Sequence, residues 1–199
     1  MKTEYPFGSF AWQREQKEKV VALARELSAG QFVLFDTETT GFNSSDEIIS
    51  IAIIDQRGAV LLDTLIRPNQ AITNSDRHGI TDERVAAAPT FPQVYPSIRE
   101  SLDGKLVLAY NANYDWRMLD ASCDRHKLPR IVPLAYECIM ELYATWWGDW
   151  NDYHESFRWQ KLTTACQRFG IDVGQEHRAL DDCKSALGVL KAIGEGKSG

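Results

Sequence analysis

Nowhere does this sequence approach the roughly 20 consecutive apolar residues that a membrane-spanning helix requires, and its start, Met1-Lys2-Thr3-Glu4-Tyr5-Pro6, carries no apolar segment behind its charge. No membrane partner is expected, and the expected setting is cytoplasmic. Cysteine is scarce and scattered: Cys123, Cys138, Cys166 and Cys183 form no Cys-x-x-Cys pair. That spacing suggests neither a zinc site nor a disulfide framework, and it leaves reduced, mostly buried thiols as the reading. His78, His126, His154 and His177 do not stand at ligand spacing from the cysteines either. Positive charge is also short, with 22 Lys and Arg against 28 Asp and Glu and a formal net charge of -6. Such a balance argues against the electrostatic grip of a strongly basic nucleic-acid-binding domain. It does not exclude nucleic acid, because acids can recruit cations that then meet the phosphates. Internal repeats and low-complexity segments are absent.

What is present fits one domain: 199 residues, 44% of them hydrophobic, suffice for a sizeable core. Residues 1–30 are expected to form a helical extension, because Val20, Val21, Ala24 and Leu27 recur at helical spacing from Trp12 to Ala29 and Gly30 follows as a stop. The main domain is expected over 31–193, with a flexible tail over 194–199. Within it Phe32–Thr37, Glu47–Asp55 and Ala59–Pro68 read as strands, the last two joined by the short hairpin link Gln56-Arg57-Gly58. Thr81–Ala88 and Phe91–Leu102 read as helical and Leu106–Tyr110 as a buried strand. A helix over Asn113–His126 follows, with Asn113 as its cap. After the apolar run Ile131–Tyr136, helices are expected over Cys138–Trp147, Trp159–Phe169 and Arg178–Ile193. A hairpin followed by alternating helices and strands predicts an α/β fold around a mixed sheet.

The most informative stretch is Phe35-Asp36-Thr37-Glu38-Thr39-Thr40-Gly41, where two carboxylates stand two positions apart at the end of an apolar run. If the run is a strand, Asp36 and Glu38 emerge on one face together with Phe32 and Leu34. Desolvating two like charges costs several kcal/mol unless a cation or a good set of hydrogen bonds compensates. Carboxylate and water ligands suit Mg²⁺ or Mn²⁺. The alternative is a helix with Asp36 as its N-cap, so further acids decide. Asp115 falls early in the helix after Leu106–Tyr110, on one side with Met118 and Ser122, and so faces inward at the same strand-end rim. In His177-Arg178-Ala179-Leu180-Asp181-Asp182, about 100° per residue puts Asp182 at the edge of the apolar face and Asp181 nearly opposite. Asp182 is therefore the ligand candidate. His177, on a loop before that helix, can reach bound solvent.

Phe35 to Gly41, Asn111-Ala112-Asn113-Tyr114-Asp115, and His177 with Asp182 five positions on resemble the three motifs of the DEDDh, or DnaQ-like, 3'-5' exonucleases. That superfamily includes the proofreading subunit of bacterial DNA polymerase III, ribonuclease T and oligoribonuclease. His78-Gly79-Ile80-Thr81, followed by Val85 and by Ala88-Pro89-Thr90-Phe91, is similar to a further segment of many members, and the likeness runs from about Phe32 to Ile193. Tyr114 stands where phenylalanine is common, and Phe42 where leucine often follows the Thr-Thr-Gly turn. The resemblance implies a ribonuclease H-like fold with a central five-stranded mixed sheet. It also implies two divalent ions, Mg²⁺ or Mn²⁺, and release of nucleoside 5'-monophosphates from the 3' end of a nucleic acid, expected to be single-stranded DNA or RNA. On that reading Asp36 bridges both ions, Glu38 and Asp182 complete the site of the attacking water, Asp115 supports the second ion, and His177 is the general base. Thr39 and Thr40 amides would hold the terminal 3'-hydroxyl, with Gly41, Phe42, Tyr114 and His78 as substrate-side neighbours. A homodimer and a polymerase or repair protein are the partners to test.

Trp146-Trp147-Gly148-Asp149-Trp150, with Tyr143, Tyr153 and Trp159, concentrates aromatic rings between two helices. A stacking platform for bases, core packing and a dimer contact all fit it. A different class of function also stands: a polymerase-associated or nucleic-acid-binding adaptor that keeps the fold without hydrolysis. The intact set of four acids and one histidine favours the enzyme.

Overall fold

The structure, a computed structural model, describes residues 5–43, 45–174 and 177–197. Ser9 accepts a hydrogen bond from the Trp12 amide at 3.3 Å and caps α1 (Phe10–Ala29). Next come three strands: β1 (Val33–Thr39), β2 (Ile48–Asp55) and β3 (Val60–Leu65). The β2–β3 turn is closed by Asp55, whose Oδ1 accepts the amides of Arg57 and Ala59, both at 2.8 Å. Gly58 takes φ +87° there, which a side chain would resist. The one-turn helices α2 (Ser75–His78) and α3 (Asp82–Val85) lead to α4 (Phe91–Leu102), which Thr90 and Gln93 open with a capping box. Then follow β4 (Leu106–Ala109), α5 (Ala112–Arg125), β5 (Ala135–Cys138) and α6 (Ile139–Trp147). A two-residue ladder of β6 (Trp150–Asn151) and β7 (Ser156–Phe157) precedes α7 (Leu162–Phe169) and α8 (Ala179–Gly194).

The main sheet has the order β3-β2-β1-β4-β5. β1 is antiparallel to β2 and parallel to β4, and β4 is parallel to β5, so the expected mixed five-stranded sheet is what forms. β1 and β2 are buried along nearly their whole length because helices cover both faces, which explains their continuous apolar sequence. β3, at an edge, is half exposed. α8 lies across β1 and β2, and α1 lies along α8. Their backbones meet at Gly194, where a Cβ would stand 2.9 Å from the Arg25 nitrogen and 3.0 Å from the Ala24 carbonyl oxygen. The Arg25 Nε donates to the Gly194 carbonyl at 3.1 Å. Gly194 thus ends α8 inside this contact rather than opening a tail; residues 198 and 199 of the expected tail lie outside the described residues.

Other boundaries also move. Helix α5 starts at Ala112, so Asn111 is its N-cap residue in place of Asn113. Only one turn, Asp82–Val85, forms within the helix expected over Thr81–Ala88. Helix α7 begins at Leu162, not Trp159, because residues 156–161 are held outside any helix: the Arg158 amide donates to the Asp149 carbonyl at 2.9 Å, and the Tyr110 hydroxyl to the Gln160 carbonyl at 3.0 Å.

Candidate active site

Strand β1 pairs with β4 only as far as Leu34↔Leu108, and its last residues run on past the partner. The Thr37 amide on that stretch donates to Asp115 Oδ1 at 3.1 Å, and the Thr37 hydroxyl donates to the same oxygen at 2.7 Å. The first turn of α5, which starts just beyond β4, is thereby tied to β1. Asp115 is 3% exposed with Met118 and Ser122 buried on the same helix face, as the spacing predicts. Asp115 nevertheless lines a cavity.

That cavity has a volume of about 500 Å³, and Asp36, Glu38, Asp115, His177 and Asp182 all line it. Ligand atoms of Glu38, His177 and Asp182 come within 4.8 Å of one another. Among the described residues this is the one such group of three or more potential metal ligands. Asp36 and Asp115 share the cavity but not that trio. Of the two neighbouring acids on α8, Asp182 lines the cavity, while Asp181 packs beside Gly174. His177 has φ +58°, in the left-handed region that costs an ordinary side chain free energy and is held only where surroundings demand it.

Electrostatically these acids work against one another. Burial, then the charges of Asp115, Glu38 and Asp182, raises the Asp36 pKa well above the usual carboxylate range, with Arg77 opposing. Glu38 is pushed up to about 8, chiefly by burial and then by Asp182. Asp115 rises to about 7 through burial, although its bonds from Thr37 pull the other way. Protein atoms alone therefore disfavour the ionised forms of Asp36, Glu38 and Asp115. Hard oxygen donors with one imidazole fit a divalent cation, which supplies the missing charge.

The substrate-side expectations divide. Thr39, Phe42 and Tyr114 line the cavity; Thr40, Gly41 and His78 do not. Thr40 turns away: its amide donates to the Glu47 carbonyl at 2.9 Å, and its hydroxyl oxygen accepts from the Glu47 amide at 3.0 Å and from Gln70 Nε2 at 2.5 Å. The expectation that its amide meets a 3' terminus is corrected, because that amide is already bonded. At Gly41 a Cβ would lie 2.6 Å from Asp46 Oδ2, so the close approach that excludes a side chain is intramolecular. Its carbonyl accepts from Thr39 Oγ1 at 2.6 Å and from the Tyr114 hydroxyl at 3.1 Å, and the two hydroxyls lie 2.7 Å apart. His78 is buried; its Nδ1 accepts from the Ile80 amide at 3.1 Å, which leaves Nε2–H to face Asn74 Oδ1 at 3.2 Å. Burial lowers its pKa, with a backbone hydrogen bond at Thr39 opposing, and its partner Asn74 does line the cavity.

Sequence reasoning missed several wall residues. Arg77 stands 5.3 Å over the Phe42 ring and faces Asp36 and Glu38 as a countercharge. Asn74, Tyr110, Gln160 and Lys161 join it in the lining. Asn74 and Arg77 lie just before the family-like segment that begins at His78, outside it, and no sequence signal marked them or Lys161. The aromatic segment splits into separate roles. Trp146 is buried 4.6 Å from Phe169 with Lys17 over its ring, and Trp150 packs on Phe7, Trp12 and Phe157. Trp159 instead lines the cavity.

Comparison with known proteins agrees with this geometry. Residues 33–190 match the family model described as RNase_T exonuclease. An uncharacterized exonuclease of Escherichia phage 186 is 33% identical over 172 residues, covering 82% of this chain and 88% of that protein. The DNA polymerase III subunit epsilon of Treponema pallidum is 31% identical over 169 residues, covering 81% of this chain and 75% of its own. Among solved structures, the zinc-bound E. coli ExoI–ssDNA complex has a TM-score of 0.70 at 16% identity, covering 84% of this chain and 41% of that one. The chain belongs to the RNase_T exonuclease family, the DEDDh, DnaQ-like 3'-5' exonucleases.

Proposed function

We propose that this member of the exonuclease family removes nucleotides from the 3' end of a single strand, DNA or RNA, with two divalent cations, Mg²⁺ or Mn²⁺, held by Asp36, Glu38, Asp115 and Asp182. The observation that carries the reading is the meeting of Glu38, His177 and Asp182 ligand atoms within 4.8 Å at the floor of the cavity. Bound there, the cations supply Lewis-acid charge for the scissile phosphate and lower the pKa of a water. Asp36, Glu38 and Asp182 would hold the cations on the side where water attacks. Asp115 supports the other side, its Oδ1 already bonded to Thr37. His177 takes the proton of the attacking water, a task its imidazole nitrogen can perform from the cavity wall. Tyr114 and Thr39 shape the floor beside the terminal nucleotide, and Asn74, the partner of His78, adds a polar group to the wall. A cavity of about 500 Å³ suits one nucleotide rather than a length of strand or a duplex end.

The test is incubation with 3'- and 5'-labelled single- and double-stranded DNA and RNA, with Mg²⁺ or Mn²⁺ and with EDTA. Metal-dependent release of nucleoside 5'-monophosphate from 3' ends is expected, fastest on single strands. Absence of release from any substrate would overturn the hydrolytic assignment.

A further inference from the structure

Trp159 is 68% exposed, yet it lines the same cavity as the acids. Among the described residues no aromatic ring packs on it, in contrast to Trp146 and Trp150. An indole left in water does not stabilise a fold, so core packing does not account for it. The backbone that carries it is nevertheless fixed on both sides. The Arg158 amide is bonded to the Asp149 carbonyl at 2.9 Å, and the Gln160 carbonyl accepts from Tyr110 at 3.0 Å. Upstream, β6 and β7 pair through Trp150↔Phe157 and Asn151↔Ser156. That small ladder leans on the start of the chain: Trp150 meets Phe7 at 5.3 Å and Trp12 at 5.1 Å, and Phe157 lies parallel to Trp12 at 6.0 Å. Lys161, two residues beyond Trp159, lines the cavity as well.

A flat apolar face and an ammonium, presented together on a braced backbone at the mouth of a one-nucleotide cavity, match the alternation of base and phosphate in a single strand. We propose that Trp159 and Lys161 form an upstream subsite: Trp159 stacks on a base preceding the terminal nucleotide and Lys161 meets an adjoining phosphate. Phe7 and Trp12, outside the residues matched by the family model, brace it through the β6–β7 ladder. This deepens the exonuclease reading and rests on it. The subsite binds substrate and takes no part in the chemistry.

The experiment compares wild type, Trp159→Ala and Trp159→Phe on a single-stranded decamer and on a dinucleotide, with steady-state kinetics, thermal unfolding and solution mass for each. In Trp159→Ala the KM for the decamer should rise about tenfold, a single stacked base's worth. The expected kcat stays within about twofold, the dinucleotide suffers a clearly smaller loss, and Trp159→Phe recovers most of the difference. The unfolding temperature should hold, because the side chain is exposed. An equal loss on both substrates would overturn the upstream placement, and an unchanged KM for the decamer would overturn the subsite. A change of solution mass in Trp159→Ala would instead assign the indole to a contact between copies. An inert wild type would count against the exonuclease reading alone.

Discussion

At the floor of the cavity Glu38 and Asp115 are 7% and 3% exposed, and they stand on a strand and a helix whose other residues form the core. At its rim Phe42 and Trp159 are 58% and 68% exposed, held by loops and by hydrogen bonds of the backbone. The floor is positioned by packing and strained by charge: its acids crowd together because β1, α5 and α8 are fixed by apolar contacts that the acids do not supply. The rim carries little strain, and the core does not depend on it. Chemistry should therefore fail when the floor is altered while the fold survives, whereas the rim should tune affinity and substrate length.

The largest expected effect lies at the floor. His177→Ala should lower kcat by about 10²–10⁴ with KM for a single strand little changed, the range for losing a general acid–base group. Wild-type circular dichroism and unfolding temperature should persist. A kcat within twofold of wild type would remove His177 from the mechanism.

The second effect is the charge strain itself. Asp36, Glu38 and Asp115 all have raised pKa values in the folded protein, about 8 for Glu38 and about 7 for Asp115, while the unfolded chain titrates near the ordinary carboxylate range. Between those limits the folded state binds more protons than the unfolded state, so stability contributed by these groups is present at low pH and lost as pH rises through 7 and 8. In EDTA the unfolding temperature should drop by roughly 4 °C or more between pH 6.5 and 8.5. Mg²⁺ or Mn²⁺ should restore it, and by more at the higher pH. A flat profile in EDTA would mean that the acids are not in electrostatic conflict.

The same contrast explains what could be read from the sequence. Asp36 and Glu38 were legible because alternation along a strand puts them on one face, and Asp115 and Asp182 because the apolar period of a helix states which way each faces; that period even separated Asp182 from Asp181. Thr40 defeated the reading because the outcome depended on Gln70 and Glu47, distant partners that take its hydroxyl and amide. The β6–β7 ladder was invisible for a local reason. It is two residues long on each side, and the left-handed position in its loop is taken by Glu155 at φ +49°, with no glycine to mark a turn. Arg77 and Lys161 are single cations on the cavity wall, a pattern indistinguishable from ordinary solvated charge.

A third effect moves to the rim. The loop carrying Phe42 is clasped by Arg125, which donates to the Ser45 carbonyl at 2.6 Å and the Asp46 carbonyl at 3.2 Å and lies 3.9 Å from Glu47. Arg125→Ala should loosen that loop and lower kcat/KM about tenfold, mostly through KM. Global stability should fall by only about 1–3 kcal/mol, the scale of losing such bonds. A loss confined to kcat would place Arg125 among the groups that govern the floor.

The smallest effect should come at the join between the two regions. Tyr114 is in the floor by its ring and in the rim by its hydroxyl, which lies 2.7 Å from Thr39 Oγ1 and 3.1 Å from the Gly41 carbonyl oxygen. Tyr114→Phe keeps the ring and removes the tie, while Thr39 Oγ1 still has its own 2.6 Å bond to Gly41. About 0.5–1.5 kcal/mol is at stake, which amounts to a change of roughly two- to tenfold in KM with kcat preserved. If kcat fell instead, the hydroxyl would belong to the floor, because only a shift of Thr39 along β1 would carry the loss to Glu38 beside it.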